Sequence, residues 1–220
     1  MDSLNSFRSM RALAGVAALV GWFALALQFV LLLSIDSPLT VGTRIGNFFS
    51  YFTVLSNILA ALVLTVCAVH NRTGPVHVFA RPAVMAAVAV YMGVTGLVYF
   101  FLLSTLWNPQ GWARVADILL HYVMPILYLG FWIVFVRKGR LRPGLIPIFL
   151  LFPIVYAVYS LVRGGLIGWY PYPFLDLRTH EAGEIVVNAL LLTIGFALFA
   201  AMLVALDRIM AENASAAGRP

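Results

Sequence analysis

The sequence predicts an all-α integral membrane protein, one bundle of six transmembrane helices spread over residues 1–220, with both termini cytoplasmic. Three observations lead there. Hydrophobic residues fill 63% of the 220 positions and charged residues only 10%, against roughly 45–50% and about 25% in a soluble domain. The apolar residues fall into six runs, each long enough to supply the ~20 residues that a helix needs to cross hydrocarbon. Lysine and arginine collect at the ends of those runs rather than on one face, which is the pattern of membrane orientation.

The first span is expected over residues 12–35, after a short polar N-terminus. It is too long for a signal-peptide core, and no small-residue cleavage site follows, so it reads as a retained span. Asp36-Ser37-Pro38 ends it, because proline and its predecessor disfavour helix. The second span is expected over residues 47–70, and Asn71-Arg72-Thr73-Gly74-Pro75 then reads as a turn. The third, residues 82–106, opens at Pro82, a tolerated first-turn position. The fourth covers residues 114–136. The fifth covers residues 143–161 and carries Pro147 and Pro153, which membrane helices tolerate. Residues 164–173 read as the longest loop, with Trp169, Tyr170 and Tyr172 as an interfacial aromatic belt. The sixth span is expected over residues 182–206. Residues 207–220 form a short tail, small and polar from Glu212 onward and expected to lack order.

Six spans put both termini on one side. That side holds ten basic residues (Arg8, Arg11, Arg72, Arg81, Arg137, Lys138, Arg140, Arg142, Arg208, Arg219), and the other holds four (Arg44, Arg114, Arg163, Arg178). The bias makes the termini cytoplasmic and the location a plasma (inner) membrane. The net charge of +6 is scattered, so it does not build a phosphate-binding face and no nucleic-acid partner is expected. The membrane lipids are the expected partners. A single cysteine, Cys67, excludes an intrachain disulfide. His70, His77, His121 and His180 are dispersed without metal-ligand spacing, so neither metal nor cofactor is expected.

Polar residues inside the spans carry the candidate chemistry, since hydrocarbon offers them no partner. Thr53 lies six residues inside the outer end of the second run, or ~9 Å. His121 lies seven residues inside the outer end of the fourth, or ~10 Å. The two are therefore expected at one level, just under the outer surface. Asp117, four residues before His121, shares its helical face and can orient the imidazole as a carboxylate does in a catalytic triad. Asn57, one turn deeper than Thr53, can donate to an oxyanion. Tyr170 and Asp176 are candidates for the mouth of the site. Thr65, Thr95 and Thr193 are expected only to bond a carbonyl one turn earlier. Gly93 and Gly96 are expected to let helices pack closely.

At Tyr51-Phe52-Thr53-Val54 with Asn57, at His121 with Pro125, and at Trp169-Tyr170-Pro171, the chain resembles the androgen-induced and androgen-dependent membrane proteins of animals. These are multi-span threonine hydrolases of fatty acid esters of hydroxy fatty acids. The resemblance implies Thr53 as nucleophile and His121 as its partner. Asn57, Asp117 and Asp176 come from this sequence, not from the family. The chain also resembles six-span bacterial membrane proteins of similar size, a likeness that implies a scaffold but no activity.

The expected function is hydrolysis of a lipid ester with Thr53 as nucleophile and His121 as general base, because an unassisted hydroxyl is a poor nucleophile. The alternative is a small transporter or lipid-binding membrane protein whose polar cavity uses the same residues. A subunit that merely packs against a partner would have no cavity.

Overall fold

The computed structural model describes residues 2–69 and 75–217. The described residues form eight α-helices with short 3-10 and π segments and no strand: α1 (Asp2–Ser34), α2 (Val41–Phe48), α3 (Phe52–Val69), α4 (Pro82–Val98), α5 (Gly111–Ile118), α6 (Met124–Phe135), α7 (Ile146–Ile167) and α8 (Ala182–Ala217). Six stretches are long and apolar enough to cross a membrane: Arg8–Ser34, Phe52–Val69, Pro82–Leu103, Gly111–Phe135, Pro143–Ile167 and Ala182–Ala216. The chain is thus a multi-pass helical membrane protein.

Several boundaries differ from the sequence-based expectation, each for a local reason. The second run is broken: α2 ends at Phe48 and α3 starts at Phe52. Thr53 is therefore the second residue of its helix rather than one buried six residues deep. The fifth span continues through Gly164 and Gly165 to Ile167. It stops where Gly168 takes φ +67°, the left-handed C-terminal cap that glycine adopts without strain. The expected tail continues α8 to Ala217, since alanine, methionine and glutamate favour helix. His70, Asn71, Arg72, Thr73 and Gly74 lie outside the described residues.

Lipid tails are as apolar as leucine, so helices in a membrane associate through close packing and hydrogen bonds. α3 and α4 form the centre of the bundle. α1 lies along α3 through small residues: Ala14, Ala17 and Ala24 are fully buried or nearly so, and a Cβ at Gly21 would stand 2.8 Å from Met124. The α1–α3 seam is tied by Trp22 Nε1–H donating to Thr65 Oγ1 at 3.1 Å, while Thr65 itself donates to Ala61 O. Gly93 faces the Phe199 ring, which a Cβ would meet at 2.1 Å, and Gly96 faces Pro125 and the His121 carbonyl at 3.2–3.3 Å. Both glycines bring α4 close to its neighbours.

The break before α3 is held from both sides. Arg44 donates to the carbonyls of Leu32 and Ile35 at the end of α1, satisfying orphan groups of a helix C-terminus. Tyr156 on α7 donates to Ser50 O at 2.8 Å, Tyr159 pairs with Ser50 Oγ at 2.8 Å, and Arg163 donates to Asn47 Oδ1 at 2.8 Å. Phe52 is wedged among Tyr91, Phe152, Tyr156 and Phe196, with centroids 5.1–6.2 Å away. Such aromatic pairs contribute about 0.5–1.5 kcal/mol each beyond their area. The start of α3, and Thr53 with it, is therefore rigidly placed.

Candidate active site

The helix carrying His121 is irregular where the histidine sits. Residues Leu119–Val123 form a π turn in which Met124 N–H donates to Leu119 O. Pro125 follows immediately and has no N–H, so it cannot bond the carbonyl four residues back, which belongs to His121. A second π turn, Tyr99–Leu103, ends the α4 span, with Ser104 N–H donating to Tyr99 O at 2.8 Å. Single π turns of this kind inside α-helices often accompany functional sites.

The two turns face one another. The Tyr99 and His121 rings stack with centroids 3.8 Å apart and planes 15° from parallel. Tyr99 Oη donates to Asp117 Oδ2 at 2.7 Å. Asp117 Oδ1 lies 3.0 Å from His121 Nδ1, which is also 3.0 Å from the Asp117 carbonyl. With Nδ1 carrying its proton toward these acceptors, Nε2 is the basic nitrogen. No partner for Nε2 is present among the described residues.

Thr53 sits in the first turn of α3, where a backbone N–H has no intrahelical acceptor. Tyr172 supplies one: Thr53 N–H donates to Tyr172 Oη at 3.2 Å, and Thr53 Oγ1 pairs with the same Oη at 3.3 Å. Tyr172 is buried, stacked on Phe174 and packed edge-on against Tyr51. Burial pushes its phenol up to about 12, with the Thr53 hydrogen bonds acting in the opposite direction, so it is neutral at physiological pH.

Thr53, Asp117, His121 and Tyr172 line one cavity of about 450 Å³, together with Tyr51, Trp107 and Asn108. That volume is in the range of small-molecule sites, ~300–1,000 Å³. Among the described residues no hydrogen bond joins Thr53 to His121; the threonine's hydroxyl partner is Tyr172.

The remaining candidates have other places. Asn57 is fully buried and does not line the cavity. Its Nδ2 donates to Thr53 O at 2.8 Å and Leu120 O at 3.2 Å. Both amide hydrogens are thereby committed to carbonyls, so it clamps α3 to the π turn rather than facing an oxyanion. Tyr170 packs its ring on Gly164, where a Cβ would meet it at 2.0 Å. Asp176 accepts from Arg178 Nη2 at 2.6 Å and Nε at 2.9 Å. Neither Tyr170 nor Asp176 lines the cavity; Tyr51, Trp107 and Asn108 do. Thr193 bonds back to Ala189 O at 2.7 Å as expected, whereas Thr95 pairs across the α3–α4 seam with Ser56 Oγ at 3.1 Å. No metal-holding group of histidine, cysteine and acidic side chains occurs among the described residues.

Sequence reasoning missed Tyr99 and Tyr172. A tyrosine hydroxyl inside an apolar run needs a partner, which is the signal Tyr99 carried. Tyr172 carried none that separates it from an ordinary belt tyrosine. Fold and site together define a helical multi-pass membrane protein with a polar cavity between its spans. Comparisons of the chain with protein-family models, curated proteins and solved structures found no match to any of them.

Proposed function

We propose that this protein is a plasma-membrane hydrolase of a lipid ester, with Thr53 as nucleophile, His121 as general base and both termini cytoplasmic. The observation that carries the reading is that Thr53, His121 and Asp117 line a single cavity, with the imidazole held through Nδ1. Thr53 Oγ1 attacks the ester carbonyl and its proton passes to His121 Nε2, directly after rotation of the threonine or through one bridging water. Nε2 then returns the proton to the leaving alcohol. Asp117 stabilises the imidazolium that forms, and Tyr99 holds Asp117. The acyl–threonine intermediate is released by a water that Nε2 deprotonates. The resemblance to the threonine hydrolases of fatty acid esters supports the same assignment. Ten basic residues against four support the orientation.

A second reading, a transporter or lipid-binding protein using the same cavity, is favoured by one observation: the Thr53 hydroxyl pairs with Tyr172, not with the histidine. A subunit that only packs against a partner does not call for such a cavity. Purified protein in liposomes, tested on a panel of long-chain esters and a fluorophosphonate probe, separates the readings. Thr53→Ala abolishes both signals, Thr53→Ser keeps part of the activity, and His121→Ala cuts the rate by ~100-fold or more, the usual worth of a general base. Thr65→Ala, away from the cavity and the space beside it, reacts normally. Equal behaviour of wild type and Thr53→Ala across the panel removes the hydrolase reading and favours the carrier.

A further inference from the structure

The polar cavity is not isolated. A small apolar cavity of about 70 Å³ shares Thr53, Leu103 and Tyr172 with it. On its other side that small cavity shares Val94, Val98, Phe174 and Leu192 with a groove of about 330 Å³ between α4 and α8. The three spaces thus adjoin one another, with Thr53 and Tyr172 on the wall between the polar part and the apolar part.

The groove has the character of hydrocarbon. On α4 it is lined by Val94, Leu97 and Val98, and on α8 by Leu191, Leu192 and Gly195, in each case at the three- and four-residue spacing of one helical face. Its one polar side chain, Asn188, is committed, since Nδ2 donates to Phe174 O at 3.0 Å. Leu97 and Leu191 are 46% and 62% exposed, and both lie inside membrane-spanning stretches. The open side of the groove therefore faces lipid tails, not water. Beneath it the α4–α8 seam is closed where the Phe199 ring covers Gly93.

We propose that the α4–α8 groove is an acyl-chain subsite. One chain of a lipid lies in it, having slipped sideways from the leaflet, and its carboxyl end reaches Thr53 past Leu103 and Tyr172, which line both the small cavity and the polar one. This deepens the hydrolase reading and rests on it for the ester, but occupation of the groove by an acyl chain is separately measurable. An ordinary lipid-facing furrow also holds tails transiently. What distinguishes this one is that it adjoins, across the shared walls of the small cavity, a polar site between the spans.

Gly195 provides the test. A Cβ there meets nothing within 4 Å, so a side chain at this groove-lining position starts into open space. Protein in nanodiscs carries a phosphatidylcholine with a diazirine at the end of one chain, and adducts after illumination are mapped by mass spectrometry. Wild type is expected to give adducts concentrated around Leu97 and Leu191. Gly195→Leu and Gly195→Trp deplete those adducts, while Leu190→Trp, exposed on α8 and outside the groove lining, leaves them unchanged. In a second arm, Gly195→Trp lowers kcat/KM for a palmitate ester by about 10-fold or more, the scale on which hydrophobic pockets discriminate chain length, and spares a butyrate ester. Adducts spread evenly over the lipid-facing helices and indifferent to Gly195→Trp would overturn the subsite. Efficient disulfide dimers of Gly195→Cys at high lipid dilution also overturn it, marking the groove as a contact between copies. Groove adducts with no Thr53-dependent hydrolysis remove the hydrolase reading and leave the subsite standing. Thr53-dependent hydrolysis without groove adducts does the reverse.

Discussion

Tyr172→Phe removes one oxygen and leaves the ring that stacks on Phe174. That oxygen accepts the Thr53 N–H and pairs with Thr53 Oγ1, at 3.2 and 3.3 Å. Both bonds are long, so the hydroxyl pair contributes at the low end of the usual ~0.5–1.5 kcal/mol. The N–H matters more. It lies in the first turn of α3 and has no helical acceptor, and leaving a buried donor unpaired costs ~1–3 kcal/mol. A loss of about 2 kcal/mol is expected, which corresponds to ~4–8 °C in Tm for a chain of this size. Thermal unfolding in detergent, followed by circular dichroism, measures it. Tyr170→Phe is the matched control, because no hydrogen bond to the Tyr170 hydroxyl is present among the described residues and its ring alone packs on Gly164; it should shift stability by less than ~0.5 kcal/mol. The pH arm has a definite sign. The folded phenol is raised, to about 12, from an unfolded value near ~10. Its contribution is therefore fully present below pH ~10 and is lost as pH rises through the folded value, so the gap between wild type and Tyr172→Phe narrows in strong alkali. If the two tyrosine variants unfold together at neutral pH, Tyr172 does not hold Thr53 and the geometry of the nucleophile rests on something else.

Asn57→Ala is expected to cost ~1–3 kcal/mol by stripping the Thr53 and Leu120 carbonyls of a donor, while leaving fluorophosphonate labelling of Thr53 in folded protein; loss of labelling without loss of stability would restore it as an oxyanion donor. The Asp176 carboxyl is held below its ordinary range by hydrogen bonds from Arg178, so its contribution is present above an unfolded value of ~3.9 and lost as pH falls through the folded one. The Tm difference between wild type and Asp176→Asn should accordingly close on acidification, and a difference that widens there refutes the pairing. For topology, Arg140→Cys and Glu181→Cys, both at exposed positions, are labelled with a membrane-impermeant maleimide in a Cys67→Ala background; only Glu181→Cys should react from outside intact cells.

The six spans were legible because hydropathy over some twenty residues is a strong signal and hydrocarbon admits few alternatives. The pairing of Asp117 with His121 was legible too, as a four-residue spacing on one helix. The break between α2 and α3 was not. Residues 47–51 are Asn-Phe-Phe-Ser-Tyr, with neither proline nor glycine to punctuate them, and the break is held by Tyr156, Tyr159 and Arg163 from a helix more than a hundred residues away. Counting depth from the ends of apolar runs consequently misplaced Thr53 within its helix, although the cavity still brings it together with His121. Tyr172 belongs to a loop that folds inward over α3, and no local pattern separates it from an interfacial tyrosine.

The two key side chains share a physical circumstance. Thr53 occupies a helix start and His121 a π turn before a proline, the two kinds of place where the regular ladder of backbone hydrogen bonds lapses. Within a membrane such lapses persist only where protein supplies the missing partners or where the backbone borders a cavity. Here the partners are specific: Tyr172 Oη for the Thr53 N–H, and Asn57 Nδ2 for the Leu120 carbonyl inside the π turn. Asn57 also bonds Thr53 O, so a single buried amide ties the irregular start of α3 to the irregular turn that carries His121. A shift of either element breaks a hydrogen bond to the other. The spacing of Thr53 and His121 across the cavity is thus set by backbone contacts rather than by a bond between the two side chains: the hydroxyl rests on Tyr172 Oη, and Nε2 has no partner among the described residues.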